Sequence, residues 1–317
     1  MSERDASVSM NYEEILMAKA AWYYYHEDKT QQQISQILGL SRMKVIKLLE
    51  QAKQAGIIQF RFRHDSMSRL ELEQKLMTGF PLKDCFIVPP PPSPEAVNDN
   101  VARAASMYIA NRVEGEAFIN IGYGDTASRV LNYLALATDR TLSCVSLTGG
   151  VSPYLPNARS SIFNSRLYLI PTPLLVSSTE VAAAMKAEKA IQDIQALIPL
   201  SSLSVIGIGA MNDDATVLTS GVLTNHDFLV LKRNGAVGDI LSHFINENGE
   251  PVSSDLEART ISTDLDTIKG LENVIGVAAG VNKAQAIRAV LRGGYLDVLI
   301  TDEDTALALA ATISEQS

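Results

Sequence analysis

The sequence predicts an all-α N-terminal helix-turn-helix module, residues 1–64, followed by a large, mostly parallel α/β domain, residues 65–317. Three observations carry that fold class. A chain of 317 residues exceeds what one small core organises. Capped, short helical segments around a glycine turn fill its first fifth. Beyond residue 100, apolar strand-like runs alternate with amphipathic helical ones, the pattern of a parallel sheet covered on both faces.

Composition narrows the class. Apolar residues make up 46% and charged residues 20%, which excludes wholesale disorder. The run Leu203–Ala210 is interrupted by Ser and Gly and is far shorter than the roughly 20 residues a membrane span needs. The N-terminus mixes acids and bases without an apolar core, so no secretory signal is read there. Cys85 and Cys144 have no Cys or His at metal-ligand spacing and are expected as buried thiols of a cytoplasmic protein. Net charge is −9, yet residues 1–64 carry nine Lys/Arg against seven Asp/Glu. Within Leu40–His64 six bases (Arg42, Lys44, Lys47, Lys53, Arg61, Arg63) face one acid, Glu50. A basic segment on an acidic carrier suits a nucleic-acid contact confined to one surface.

The first helix is expected over Tyr12–Glu27, with Ile15, Trp22 and Tyr23 on its inner side. Thr30-Gln-Gln-Gln33 has the form of a capping box, in which Thr30 and Gln33 each satisfy the other's backbone N–H. Ile34, Ile37 and Leu38 are expected inward on the helix that follows. Gly39 suits a tight turn, and Ser41 caps a helix to about Ala55. On that helix Val45, Leu48, Leu49 and Ala52 form the buried stripe, with Lys44, Lys47, Gln51 and Gln54 opposite. Two helices around a short Gly turn, the second basic, form a helix-turn-helix whose first turn enters the major groove of double-stranded DNA. Arg42 and Lys44 are placed for guanine edges, Ser41 and Lys47 for phosphates or adjacent bases. Alternation in Ile58–Arg63 predicts a strand with Arg61 and Arg63 outward, adding phosphate contacts. The bland reading, a solvated helical hairpin, does not account for cap, turn, basic face and basic strand arriving in this order.

Ser66–Phe80 reads as a helix with Leu70, Met77 and Phe80 along one stripe, and Phe86–Val88 as a strand. Residues 89–100 read as an exposed, Pro-rich loop. Helices at 101–113, Thr126–Ala137 and Lys283–Arg292 then alternate with strands at Ala117–Ile121, Leu142–Leu147, Ser204–Ile208, Phe228–Leu231, Val274–Val277 and Val298–Thr301. Ligands of such sheets sit outside the carboxyl ends of the strands. Three loops there carry usable chemistry. Gly122, Tyr123, Gly124, Asp125 and Thr126 lead a strand into a helix, whose N-terminus favours an anion. Thr148, Gly149 and Gly150 end the next strand. Lys283 opens a later helix and adds a cation, and Asp239 can accept from sugar hydroxyls. Each loop alone is ordinary for an α/β protein; together with Lys283 they outline a sugar-phosphate pocket.

Gly122-Tyr-Gly-Asp-Thr-Ala127 also fits a dinucleotide fingerprint. That motif needs an acid at the end of the next strand, where Thr148-Gly-Gly150 stands instead. No catalytic residues are assigned. His26 and His64 fall in or beside the basic module, His226 on a polar turn and His243 on a helix, and their neighbourhoods outline no Ser-His or Cys-His constellation. Asp302 and Asp304 read as helix caps. No metal ligands and no cofactor are expected.

Over essentially its whole length the chain resembles the SorC family of sugar-binding transcriptional regulators. The resemblance rests on Ala21–His26, Thr30–Ser35, Gly39–Val45, Ile121–Gly124, Leu147–Gly150, Val205–Gly209, Gly235–Ile240 and Leu299–Asp302. Its nearest subgroup comprises repressors that respond to phosphorylated autoinducer-2. The resemblance implies a Rossmann-like (NagB/RpiA-like) effector domain, a homo-oligomer (a tetramer or dimer of dimers), and release from operator DNA when a phosphorylated sugar binds. By motif match Tyr123, Asp239, Leu241 and Lys283 fall where that subgroup holds its ligand, and Gly122–Thr126 with Thr148–Gly150 would cradle the phosphate. Tyr123 replaces the Phe of that subgroup, and Ala279-Gly-Val-Asn-Lys283 lacks its acid before Asn, which leaves a polyol or pentose phosphate as effector too. The expectation is a regulator of a carbohydrate uptake or catabolic operon and not an enzyme; the rivals are a sugar-phosphate isomerase or deaminase on the same sheet, and a nucleotide-bound redox sensor.

Overall fold

A computed structural model describes residues 3–58, 64–91, 93–113, 116–138, 141–150 and 166–314. By internal contacts the chain divides into two compact units, Met1–Met67 and Ser68–Ser317.

In the first unit α1 (Glu3–Tyr25), α2 (Gln31–Leu38) and α3 (Arg42–Gln54) enclose a small core. The Thr30–Gln33 capping box is formed: the Gln33 N–H donates to Thr30 Oγ1 at 3.3 Å, and the Thr30 N–H donates to Gln33 Oε1 at 2.9 Å. Gly39 ends α2 at φ +67°, in the left-handed region where a Cβ is penalised. Ser41 Oγ then accepts from the Lys44 N–H to cap α3. Val45, Leu48, Leu49 and Ala52 are buried against Ala20, Ala21 and Ile34. Each large apolar side chain among them contributes roughly 1.5–3 kcal/mol. Two inner faces differ from expectation. On α1, Ile15 and Trp22 are about half exposed (47% and 54%), and Ala20 and Ala21 take the core positions. Trp22 stacks on His26 one turn later and donates to Glu27. Ile37 is also exposed, because α2 is eight residues long and buries only its Ile34 edge. The strand expected at 58–63, with Arg61 and Arg63, lies outside the described residues.

From α4 (His64–Gly79) onward the elements run β1 (Asp84–Val88), α5 (Val97–Ala110), β2 (Ala117–Ile121), α6 (Asp125–Ala137), β3 (Leu142–Ser146) and β4 (Arg166–Tyr168). Then come α7 (Thr179–Lys186), α8 (Lys189–Gln195), β5 (Leu203–Ala210), α9 (Thr216–Thr219), α10 (Asn225–Arg233), β6 (Gly238–Ile240) and β7 (His243–Ile245). The chain closes with α11 (Asp255–Arg259), α12 (Leu265–Gly270), β8 (Val274–Val277), α13 (Ala284–Arg292), β9 (Val298–Asp302) and α14 (Glu303–Ser314). The strand order is β1-β9-β8-β5-β2-β3-β4, parallel at every step. The β6–β7 hairpin joins antiparallel to the end of β5. Alternate residues serve opposite faces: Val205 packs with α5 and α6, Ile206 with α4, α13 and α14.

Phe228–Leu231, expected as a strand, lies inside α10. A second capping box, Thr224 with Asp227, starts that helix, and Phe228 and Leu231 are buried at helical spacing while Leu229 is exposed. A four-residue apolar run cannot distinguish the two periods; the cap does. His226 accordingly stands on α10 rather than a turn, and His243 on β7 rather than a helix. Residues 94–100, expected as loop, form a 3-10 turn (Pro94–Ala96) and the start of α5. On α4, Leu72 and Leu76 fill the core with Phe80, and Leu70 is exposed.

Thr30→Ala removes an oxygen that satisfies an otherwise orphaned helix donor. We expect a loss of about 1 kcal/mol in protection of α2 amides by hydrogen exchange, with Thr30→Ser close to wild type.

Candidate functional site

In the second unit the order in which strands are added to the sheet reverses between the parallel neighbours β2 and β5. From β2 the next strand is β3 on one side, whereas β5 leads through the hairpin to β8 on the other. Loops leaving those two strands diverge, and a crevice opens at their carboxyl ends. A cavity of about 800 Å³ occupies it, within the size range of small-molecule sites.

Its floor is built from β5. Gly207 and Gly209 line the cavity, and Gly209 pairs with Asp239 across the β5–β6 ladder. A Cβ on Gly209 would run into the Asp239 carboxylate, so this glycine is what lets the acid sit over the sheet end. The Ser242 N–H donates to Asp239 Oδ2 at 3.1 Å. That bond comes from the turn Leu241–Ser242, whose residues both have positive φ (+54° and +65°). A two-residue hairpin requires that geometry and ordinarily takes Asn or Gly there. Burial pushes the Asp239 carboxyl up to about 6, against the lowering effects of Ser242, Lys283 and His243.

Lys283 enters from the turn between β8 and α13. Burial lowers its pKa, while the carboxylates of Asp239 and Asp125 oppose the shift. No acid among the described residues comes within ion-pair distance of its ammonium. The third wall is the start of α6, where Gly124 (φ +126°) supplies no side-chain cap. Helix geometry leaves the first N–H groups there without intrahelical partners, an arrangement that favours an anion. Asp125 holds Arg129 one turn on, with Nε to Oδ2 at 2.8 Å, and Arg129 also reaches Asp99. Tyr123 is buried beside this wall and donates its hydroxyl to Ser220 Oγ at 3.2 Å, just after α9. Carboxylates (Glu95, Asp125, Asp214, Asp239, Asp302, Asp304) outnumber cations (Arg129, Lys283) along the lining. Acceptors for hydroxyl groups are therefore plentiful, and charge for an anion is concentrated at Lys283, Arg129 and the α6 terminus.

The structure thus brings Tyr123, Gly124, Asp125, Thr126, Asp239 and Lys283 onto one cavity. Gly122, Leu241 and the Thr148–Gly150 segment are not on its lining. The Gly122 N–H is spent on the Val205 carbonyl, and a Cβ there would meet the Leu241 side chain, which is itself a core residue. Gly149 and Gly150 donate to the Ile261 and Thr172 carbonyls, and Thr148 bridges to Ser262. The Gly149 and Gly150 amides hold the loop to neighbouring segments. Sequence reasoning missed Arg129, Asn98 and the α9 wall (Asn212, Asp214, Thr216, Thr219). Arg129 was signalled by its i+4 spacing from Asp125; the α9 wall had no local signal.

Asp302 accepts from the Thr305 N–H and from Gly280, so it caps α14 and ties down the Lys283 turn. His243 is clasped between Glu257 and the Thr263 carbonyl; burial opposes its charge, but those two partners leave its pKa raised. Among the described residues no group of three or more His, Cys, Asp or Glu is placed to hold a metal. Both cysteines are free and buried, and burial pushes the Cys144 thiol to about 12.

In the first unit Ser41, Arg42 and Lys47 are exposed at the start of α3. Lys44 is half-buried, its ammonium 2.7 Å from Glu13 of α1. An open groove of about 670 Å³ runs beside Arg42, lined by Tyr24, Tyr25, Asp28, Lys29, Thr30, Gln31 and Gln32. The tyrosines were not singled out from the sequence, since aromatic residues on a first helix read equally well as core. Arg61 lies outside the described residues.

A model of the sugar-binding domain family (Sugar-bind) matches residues 64–311. The transcriptional regulator LsrR of Klebsiella pneumoniae subsp. pneumoniae is 34% identical over 306 residues, covering 95% of this chain and 94% of that protein. LsrR of Escherichia coli K12 is 33% identical over 301 residues, covering 94% and 95%. Among solved structures, the full-length sorbitol operon regulator SorC of Klebsiella pneumoniae aligns over 93% of this chain and 98% of its own, with a TM-score of 0.69 and 23% identity. That likeness shares the fold.

The half-buried Asp239 carboxyl binds its proton more tightly folded than unfolded. The folded state therefore loses relative stability as pH rises from about 4 to about 6, by up to about 3 kcal/mol at roughly 1.4 kcal/mol per pKa unit. Denaturant titrations should show Asp239→Asn gaining on the wild type between pH 4.5 and pH 7.5, with most of the gain below about pH 6.5.

Proposed function

This chain belongs to the SorC family of sugar-binding transcriptional regulators, and from that premise we propose that it binds operator DNA through α2 and α3 and releases it when a phosphorylated sugar fills the cavity. It is a sugar-responsive regulator and not an enzyme, as its curated relatives are regulators. The observation that carries the effector reading is one cavity shared by Asp239, Lys283 and the uncapped α6 terminus. The phosphate lies against the α6 amides with Lys283 as its cation, and Asp239 accepts from the sugar hydroxyls. Phosphorylated autoinducer-2, to which the resemblance leads, and a polyol or pentose phosphate both satisfy that arrangement. The α2–turn–α3 unit presents Ser41, Arg42 and Lys47 to the major groove, with the tyrosine-lined groove beside them.

As a repressor of a carbohydrate uptake or catabolic operon, the protein acts in the cytoplasm as a homo-oligomer, a tetramer by family likeness. Paired helix-turn-helix units are what a palindromic operator requires. Release needs the effector to bind the DNA-free arrangement more tightly than the DNA-bound one, since equal affinity shifts nothing.

The test is a mobility shift at fixed salt on DNA from upstream of the protein's own gene, with a panel of sugar phosphates. One sugar phosphate should reverse the shift. Lys283→Ala should bind the same DNA and need roughly 10- to 100-fold more effector for release, the cost of a lost charged hydrogen bond. Release of Lys283→Ala at wild-type concentrations would move the phosphate elsewhere in the cavity.

A further inference from the structure

Lys44 is the third residue of α3, on the turn that the DNA-binding reading sends into the groove. Its backbone is held by the Ser41 cap, with the Lys44 N–H donating to Ser41 Oγ at 3.2 Å. Its ammonium is turned back onto the neighbouring helix, where it donates to Glu13 Oε1 at 2.7 Å. The Glu13 charge is also felt by Lys47, one turn further along. Arg42 and Lys47 are exposed and make no ion pair among the described residues, so Lys44 is the member of this basic turn that is neutralised.

Folding does not explain the pair. Its side chains keep 39% and 47% of their exposure, and an ion pair so open to water and salt contributes little to stability. For binding the consequence is larger. A lysine near the duplex adds phosphate attraction to every sequence alike, whereas base contacts add only at the right one. A carboxylate on the same surface occupies that lysine and repels the phosphates.

We propose that Glu13 is a specificity-determining residue that holds Lys44 off the DNA backbone and so keeps binding to unrelated sequence weak. The inference rests on the DNA-binding reading above. Contacts that read bases are left to Arg42 and its neighbours, and the ratio of operator to non-specific affinity is higher than the count of basic residues on α3 implies.

The experiment compares the full-length wild type with Glu13→Gln, Lys44→Gln and the double variant. Each is titrated by fluorescence anisotropy over a series of salt concentrations, on a duplex from upstream of its own gene and on an unrelated duplex of equal length. Glu13→Gln should melt with the wild type and bind the unrelated duplex about three- to tenfold more tightly. Its plot of log affinity against log salt should steepen by about 0.9, the release of one further phosphate's counterion. Its preference for its own duplex should fall by a similar factor, and the double variant should return to the wild-type slope. Unchanged slopes overturn the proposal, as does a gain that persists in the double variant, which would make carboxylate repulsion alone responsible. Selective loss of own-duplex binding by Glu13→Gln also overturns it, since the pair would then be aiming Lys44 at a base. A wild type that binds neither duplex would bring down the DNA-binding reading itself. One that prefers its own duplex while Glu13→Gln behaves identically brings down this inference alone.

Discussion

Adjacent parallel strands whose outgoing connections leave toward opposite edges of a sheet cannot have those connections meet above them. Here that condition holds at β2 and β5. Everything chemically notable in the second unit follows from it. The glycine-rich exit of β2, the glycines of β5, the Asp239 hairpin appended to β5, and the Lys283 turn after β8 all border the same gap. The sheet itself is an ordinary apolar construction, with two cores on its two faces. Its open end gathers two adjacent non-glycine residues at positive φ, a carboxyl whose proton is held to about pH 6, and a lysine with a lowered pKa.

These features act together. The Gly209 backbone must be bare for Asp239 to lie over it, and the Leu241–Ser242 turn must be left-handed for the Ser242 N–H to meet the carboxylate. Leu241 is anchored by burying its side chain against Gly122. Burial of that leucine offsets the cost of its backbone geometry. Thus Gly122 and Leu241, though off the cavity lining, help set the position of an acid that is on it. The Thr148–Gly150 loop belongs to the same scaffold through its bonds to residues 172 and 261–262.

The first unit obeys a different economy. Its core is small, so local devices carry much of its definition: the Thr30–Gln33 box, the Gly39 turn and the Ser41 cap. These fix the direction of α3 without using its outer side chains. The charged surface is then free to be tuned by single contacts such as that between Glu13 and Lys44.

What the sequence by itself determined is what local chemistry writes into adjacent residues. Caps and glycine turns placed α2 and α3, and short apolar runs placed β2 and β8 to the residue. The motif-bearing loops at Gly122–Thr126 and Lys283 were legible for the same reason, and Asp239 through the family likeness as well. Tertiary structure alone decided which loops converge, because convergence depends on strand order, and strand order is a choice among long-range pairings. It left Thr148–Gly150 off the cavity lining and engaged the Gly149 and Gly150 amides with carbonyls more than 20 residues away. It brought in the α9 wall, which has no motif. It also paired Lys44 with an acid 31 residues before it. A charge's neighbours in space are set by how helices pack, and sequence spacing reports them only within one element.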